Sequence, residues 1–357
     1  RIQDASGNLT ASTATVSLAF GVNPGSATLG GTASRAAVAG VATFNDLSVS
    51  AAGVGYTLAA SSSGLTGVTS AAFTIGAAAS ATAILSDLPD PSVVGQAVTV
   101  GYQVTSAGGS PTGNVTVSDG AGTSCVATVA AGNCVLTFLT AGARTLTATY
   151  AGDPNFSGSA SAGVPHAVNQ AATTSVVATH APDPSASGSA VSVTWTVSPT
   201  APGAGTPTGN VTVSDGVNNC VAAVGAGGCS VALNTVGARS LTATYAGDAN
   251  FSGSVSPAVS HTVTLAATTT TITSDLPDPS VTGQLVTVNY SVSTAIGTPT
   301  GNVTVSDGLG GSCVAAVGAG SCGLAFATAG ARTLTATYAG DANFAGSASA
   351  GTPHQVD

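Results

Sequence analysis

The stretch Pro111-Thr112-Gly113-Asn114-Val115-Thr116-Val117-Ser118-Asp119-Gly120 occurs three times, returning unchanged at Pro207–Gly216 and Pro299–Gly308. A second stretch, Leu146-Thr147-Ala148-Thr149-Tyr150-Ala151-Gly152-Asp153, returns at Leu241–Asp248 and Leu334–Asp341. Successive copies lie 92 to 96 residues apart. Solenoid repeats use about 20–45 residues, whereas a self-contained two-sheet sandwich needs about 100. The chain therefore reads as consecutive domains, not as one solenoid.

Within each repeat the pattern has period two. Val98, Val100, Tyr102 and Val104 alternate with Thr99, Gly101 and Gln103, and the matching sets are Val191, Val193, Trp195, Val197 and Val286, Val288, Tyr290, Val292. Leu146, Ala148 and Tyr150 alternate in the same way with Thr147 and Thr149. Such alternation turns one strand face to a core and the other to water. Turn residues fall between the runs, at Gly108-Gly109-Ser110-Pro111, Ser118-Asp119-Gly120 and Ala131-Gly132-Asn133. No stretch carries a helical period. The expectation is about seven short strands per repeat, with Tyr102, Trp195 and Tyr290 as core plugs. Tyr150, Tyr245 and Tyr338 fall where a tyrosine corner would sit.

Composition narrows the function classes. The 357 residues contain no lysine, glutamate or methionine, and the charge comes from five arginines and fourteen aspartates. Charged residues are 5% of the chain and hydrophobic ones 43%, so it can build cores, though thin ones of Ala and Val. A net charge of -9 excludes the basic footprint of a nucleic-acid binder and gives no attraction to an anionic membrane. No apolar run approaches the ~20 residues of a membrane span. Without methionine or a signal peptide at Arg1-Ile2-Gln3-Asp4, the chain reads as a processed product or a window from a longer array.

The segments Tyr150-Ala151-Gly152-Asp153-Pro154-Asn155-Phe156, Tyr245–Phe251 and Tyr338–Phe344, with the Pro-Thr-Gly-Asn-Val-Thr-Val strand before each, resemble the bacterial immunoglobulin-like (Big) repeat domains. Residues 1–77 resemble a related module through Gln3-Asp4-Ala5-Ser6-Gly7-Asn8, Gly40-Val41-Ala42-Thr43-Phe44 and Gly55-Tyr56-Thr57-Leu58. The resemblance implies an all-β chain of four tandem immunoglobulin-like sandwiches at 1–77, 78–169, 170–263 and 264–357. The first of these reads as lacking its N-terminal strands. Strand addition by another chain is the alternative to missing upstream residues. Junctions near Gly76-Ala77-Ala78, Asn169-Gln170-Ala171 and Thr264-Leu265-Ala266 are short, which predicts a stiff, extended rod of roughly 150 Å from ~3.3 Å per strand residue.

The six cysteines form three pairs, one in each full repeat: Cys125/Cys134, Cys220/Cys229 and Cys313/Cys322. Each pair encloses eight residues and a Gly-containing turn, which predicts a disulfide-stapled hairpin. Zinc ribbons use closer cysteines and a second pair nearby. Disulfides place the chain in an oxidising compartment, extracellular or at the cell surface. Lys–Asn and Lys–Asp isopeptide cross-links are excluded by the absence of lysine.

Two readings stand for the aspartates. Asp90, Asp183 and Asp278 lie after the first strand of their repeats, and Asp153, Asp248 and Asp341 lie in the loop before the last strands. At a junction between modules these carboxylates could bind Ca²⁺; alternatively they make Asx turns beside Pro and Gly. No other cofactor is implied. Arg144, Arg239 and Arg332 are expected to form exposed pairs with Asp119, Asp215 and Asp307. His166, His261 and His354 share one repeat position and are expected half-exposed on a terminal strand, with His180 as an extra. No nucleophile elbow supports a Ser-His-Asp reading, so no catalytic residues are expected. The leading function is a non-catalytic extracellular array: a surface stalk, adhesin shaft or filament subunit contacting neighbouring copies or other surface proteins. The rivals are carbohydrate- or protein-binding modules, or a spacer in a larger secreted enzyme.

Overall fold

A computed structural model describes residues 1–357. The chain divides into two compact units, Arg1–Asn169 and Gln170–Asp357. The alternating runs become strands, and the apolar members of each run turn inward as the period demands. The second repeat sets the pattern. One sheet orders Asn133–Thr137, Ala97–Thr105 and Ala81–Leu88; the other orders Ser124–Thr128, Asn114–Ser118, Gly142–Tyr150, Val164–Asn169 and Ser92–Val93. The pairings are antiparallel except that Ser92–Val93 runs parallel to Val164–Asn169. Between Leu88 and Ser92 the chain leaves the first sheet for the second. Pro89 and Pro91 have no N–H to continue a ladder there.

The third repeat copies this layout, with Thr173–Ala181, Ala190–Pro199 and Gly228–Ala232 in one sheet and Ser185–Ala186 parallel to Val259–Thr264 in the other. In the fourth, Thr268–Leu276, Leu285–Thr294 and Ser321–Ala325 form the smaller sheet, and Ser280 makes the parallel bridge to Val356. Val98, Val100, Tyr102, Val115, Val117, Leu136, Phe138, Leu146, Ala148 and Tyr150 fill the space between sheets in the second repeat, and their equivalents do so in the others. Each buried Val contributes roughly 1.5–2 kcal/mol. Tyr102 and Tyr290 donate their hydroxyls to the carbonyls of Thr128 and Ala316 at 2.9 and 2.8 Å. Tyr150, Tyr245 and Tyr338 are also core residues, but their hydroxyls, beside the carboxylates of Asp153, Asp248 and Asp341, make no hydrogen bond of good geometry. They are plugs and do not make the tyrosine corner expected from their position.

Two further expectations are corrected. The three disulfides form between the expected partners, Cys125–Cys134, Cys220–Cys229 and Cys313–Cys322, with Cα–Cα distances of 6.0, 6.1 and 5.9 Å. None of them staples a hairpin, because the two cysteines of each pair belong to different sheets. Cys125 lies on Ser124–Thr128, which pairs with Asn114–Ser118, while Cys134 lies on Asn133–Thr137, which pairs with Ala97–Thr105. In the third repeat Cys220 lies on Asn219–Ala223, paired with Asn210–Ser214, while Cys229 faces Val193 of Ala190–Pro199. In the fourth Cys313 lies on Ser312–Ala316, paired with Asn302–Ser306, while Cys322 faces Val288 of Leu285–Thr294. The single 3₁₀ turns Val129–Ala131, Val224–Ala226 and Val317–Ala319 carry the chain from one sheet to the other, so each bond closes the open edge of its sandwich.

The arginine pairs are also fewer and deeper than expected. Arg239 reaches Asp215 at 2.9 Å and Arg332 reaches Asp307 at 3.5 Å, with the aspartate side chains 0% and 4% exposed. Arg144 instead donates to the Thr140 carbonyl at 2.8 Å and lies over the Phe138 ring.

The first module is built differently. Ser34–Ala36, Thr15–Val22, Gly53–Ser61 and Val68–Thr69 form one sheet, with Phe73–Ile75 also on Gly53–Ser61 and a small pair from Leu29–Gly30 and Ser48–Val49. Its core is Tyr56, packed between Phe20 and Phe73. Within the first unit, Asn155 of the second repeat accepts the Ala52 N–H through its Oδ1 at 2.9 Å, which ties the two modules together.

Candidate functional site

The histidines decide where chemistry is concentrated, and the structure corrects their placement. His166, His261 and His354 have side chains 0% exposed, although each lies on a last strand. An imidazole buried there needs partners for both ring nitrogens. In the second repeat, Nε2 of His166 faces Ser92 Oγ at 2.9 Å and Nδ1 faces Asp87 Oδ2 at 3.0 Å. Asp90 Oδ1 lies 3.4 Å from the same Nδ1 and accepts the Ala167 N–H at 3.0 Å. The fourth repeat repeats this with Ser280 at 2.9 Å, Asp275 at 2.9 Å and Asp278 at 3.4 Å from His354. The Phe138 and Phe326 rings pack against the two imidazoles.

The elements explain the convergence. Asp87 and Asp275 end the first strand, the Pro-Asp-Pro segment turns the chain, and Ser92 and Ser280 begin the parallel pairing with the last strand that carries the histidine. The order Ser–His–Asp is that of a nucleophile, base and orienting carboxylate. However, Ser92, Ser185 and Ser280 are at most 1% exposed, so no substrate carbonyl can reach their hydroxyls. What the network does is fasten the first strand to the last.

The third repeat departs from this. His180 takes the position of Asp87 and Asp275, and its Nδ1 meets Nδ1 of His261 at 3.1 Å. Ser185 Oγ keeps its 2.9 Å contact with His261 Nε2, and Asp183 Oδ1 lies 3.4 Å from His261 Nδ1. Burial pushes His261 below the ordinary histidine value, against the pull of the Asp183 charge.

A second clasp holds the other end of the first strand. Thr82 and Ser80 both meet Ser159 Oγ at 2.7 Å, and Ser175–Ser254 and Thr270–Ser347 repeat the contact at 2.7 Å. Sequence reasoning passed over these hydroxyls because Ser and Thr are so abundant; their recurrence 77 or 79 residues apart was the available signal.

The six aspartates considered for calcium fall into two sets. Asp90, Asp183 and Asp278 join the histidine clusters of their own repeats. Asp153 instead spends one oxygen on Thr112 N and Oγ1, at 2.9 and 2.7 Å, and the other on the N–H groups of Asn155 and Phe156, at 2.8 and 2.9 Å. Asp248 and Asp341 do the same with Thr208 and Thr300. Gly152 before this turn has φ +91°, and a Cβ there would lie 2.9 Å from the Phe156 carbonyl oxygen. The Thr112 hydrogen bond and the backbone donors hold Asp153 down to about 2. Burial opposes the same effect at Asp248, but the Thr208 and backbone donors still bring it to about 2. The geometry is that of Asx turns, and none of the close His/Asp groupings contains Asp153, Asp248 or Asp341.

The three clasped repeats coincide with three matches to one family, bacterial Ig-like domain (group 3), at residues 85–169, 178–264 and 272–357. The chain belongs to the bacterial Ig-like domain family. No curated protein matches it in sequence. Among solved structures, a tetra-tandem repeat from the extending region of a large adhesion protein is 18% identical, over 98% of this chain and 93% of that one, with a TM-score of 0.43. A structure described as giving insight into host cell surface retention of a 1.5-MDa bacterial ice-binding adhesin is 16% identical over 79% of this chain and 99% of that one, with a TM-score of 0.25. Three domains of the bacteriophage RB49 outer capsid protein Hoc are 13% identical over 78% and 99%, with a TM-score of 0.27. This chain is thus a bacterial Ig-like array in which each group 3 repeat carries a buried histidine clasp and an inter-sheet disulfide.

Proposed function

We propose that the chain is a non-catalytic structural array, part of a stalk, adhesin shaft or filament outside the cell, whose repeats carry tension. One observation bears most of this reading: the short segment that follows the first strand lies parallel to the last strand, as a two-residue pairing in the second and third repeats and as the Ser280–Val356 bridge in the fourth. In a tandem chain, force enters at the first strand and leaves at the last. Pulling parallel strands by opposite ends loads their hydrogen bonds together in shear instead of unzipping them one at a time. The histidine clasp lies on that seam, and its serine and aspartate come from the force-entering side. The disulfides support an oxidising compartment.

Single-molecule stretching tests the proposal. Three equal extensions of roughly 250 Å are expected from repeats of this length at ~3.4 Å per residue, less the folded length and the disulfide ring. His166→Gln should lower the rupture force of one of the three events. Rupture forces unchanged by that variant would refute the assignment of the seam. Small-angle scattering tests the spacer role: a radius of gyration near the ~20 Å of a compact chain of this length would reject it.

A further inference from the structure

The third repeat differs from its neighbours where the difference matters chemically. In the second and fourth, one imidazole N–H faces two carboxylates, and a hydrogen bond accounts for the contact. In the third, two imidazole Nδ1 atoms point at each other at 3.1 Å, with Asp183 Oδ1 3.4 Å from one and Asp183 Oδ2 3.9 Å from the other. Each neutral imidazole offers one lone pair. In the tautomers that leave both Nδ1 atoms unprotonated, two lone pairs and a carboxylate converge on one point and form a cation's coordination set.

We propose that the third repeat binds one divalent transition-metal ion of the zinc class through His180 Nδ1, His261 Nδ1 and the Asp183 carboxylate, with water completing the tetrahedron. Zinc holds His nitrogen at ~2.0–2.1 Å, so neighbouring ligand atoms of a tetrahedron lie ~3.3 Å apart. The distances in this cluster bracket that edge. Nitrogen ligands select a zinc-like ion over calcium, which takes oxygen. The supporting contacts that orient metal ligands are also present. Ser185 Oγ holds the far nitrogen of His261 at 2.9 Å, and the Thr262 N–H holds Asp183 Oδ1 at 2.9 Å. His261 is enclosed, whereas His180 and Asp183 are 14% and 36% exposed, so an ion enters from their side. The three ligands come from the end of Thr173–Ala181, the loop after it and the last strand Val259–Thr264. The ion would cross-link the first and last strands of this repeat alone. The inference stands whether or not the array carries load.

The test uses the full chain after chelation, titrated with Zn²⁺ by calorimetry and with Co²⁺ by visible absorption. One equivalent of Zn²⁺ is expected, and Co²⁺ should give the intense d–d bands of a low-coordinate site. His180→Asp recreates the arrangement of Asp87 and Asp275, so the fold should persist while affinity falls at least 100-fold. Trp195, the single tryptophan, lies in the core of this repeat and reports by its emission that the variant is folded. Asp275→His is the converse: it should install a second equivalent in the fourth repeat. No binding by the unaltered chain, undiminished binding by folded His180→Asp, or three equivalents per chain would each overturn the proposal. Should His180→Asp not fold, failure of Asp275→His to add an equivalent would overturn it.

Discussion

Reducing the disulfides should destabilise three of the four modules and leave the first alone. Each bond closes a ring across a sequence separation of 9. In the chain-entropy model a ring of about 10 residues is worth about 2.7 kcal/mol at 25 °C. That is a large share of the 5–15 kcal/mol typical of a domain, and the Ala/Val cores leave little reserve. At ~4–8 °C per kcal/mol for a domain of this size, the melting temperature of each repeat should fall by roughly 10–20 °C. The bond also spans two sheets whose edge strands share no hydrogen-bond ladder, and in the second and fourth repeats only the single hydroxyls of Tyr102 and Tyr290, on Thr128 and Ala316, bridge the sheets beside it. Scanning calorimetry with and without a phosphine reductant measures the shift. Hydrogen exchange read by peptide mass spectrometry assigns it: amides around Val115, Val211 and Val303 should lose protection, and those around Tyr56 should not. A loss below ~1 kcal/mol per repeat, or equal loss around Tyr56, would show that the bonds do not close the sandwich as described.

Two other outcomes follow from the charges. Arg239→Ala strands the fully buried Asp215 carboxylate and should cost about 3 kcal/mol, whereas Arg144→Ala removes contacts to the Thr140 carbonyl and hydroxyl and ring stacking, strands no buried charge and should cost about 1 kcal/mol; urea denaturation of the two variants compares them. The Asp153 and Asp248 carboxyls stand at about 2 when folded, against an ordinary aspartate value of 3.8. Folded-state values below the unfolded ones mean that their contribution is complete above about pH 4 and is lost as pH falls toward 2. The urea midpoint should drop across that window, and a midpoint flat from pH 5 to pH 2 would contradict the turn geometry.

Much of the fold was legible because each signal was local or repeated. Val98, Val100 and Tyr102 announced a half-buried strand by period alone, and the cysteine pairing followed from proximity. The sheet assignment of Cys134, Cys229 and Cys322 was not legible: a Gly turn between two short strands looks the same whether the strands pair or part, and only their other partners decide. The histidines were misread for a related reason. A lone imidazole on an alternating strand gives no sign of burial when its serine and carboxylate lie more than 70 residues upstream. The Pro-Asp-Pro context also looked like turn chemistry. The available signal was joint recurrence: Asp87 precedes His166, and Asp275 precedes His354, by the same 79 residues. Where a histidine replaces that aspartate, the site changes with it.

The clasp joining the first and last strands also governs when a repeat can fold. Ser92 and Ser280 each wait 74 residues for their histidine, so a repeat emerging N-terminus first from a ribosome or a narrow pore stays open until its final strand is clear. Non-local closure of this kind is slow, and each repeat would then latch as a unit behind its predecessor. A pore delivering such a chain handles one unlatched repeat at a time, and every latch bars the segment from slipping back.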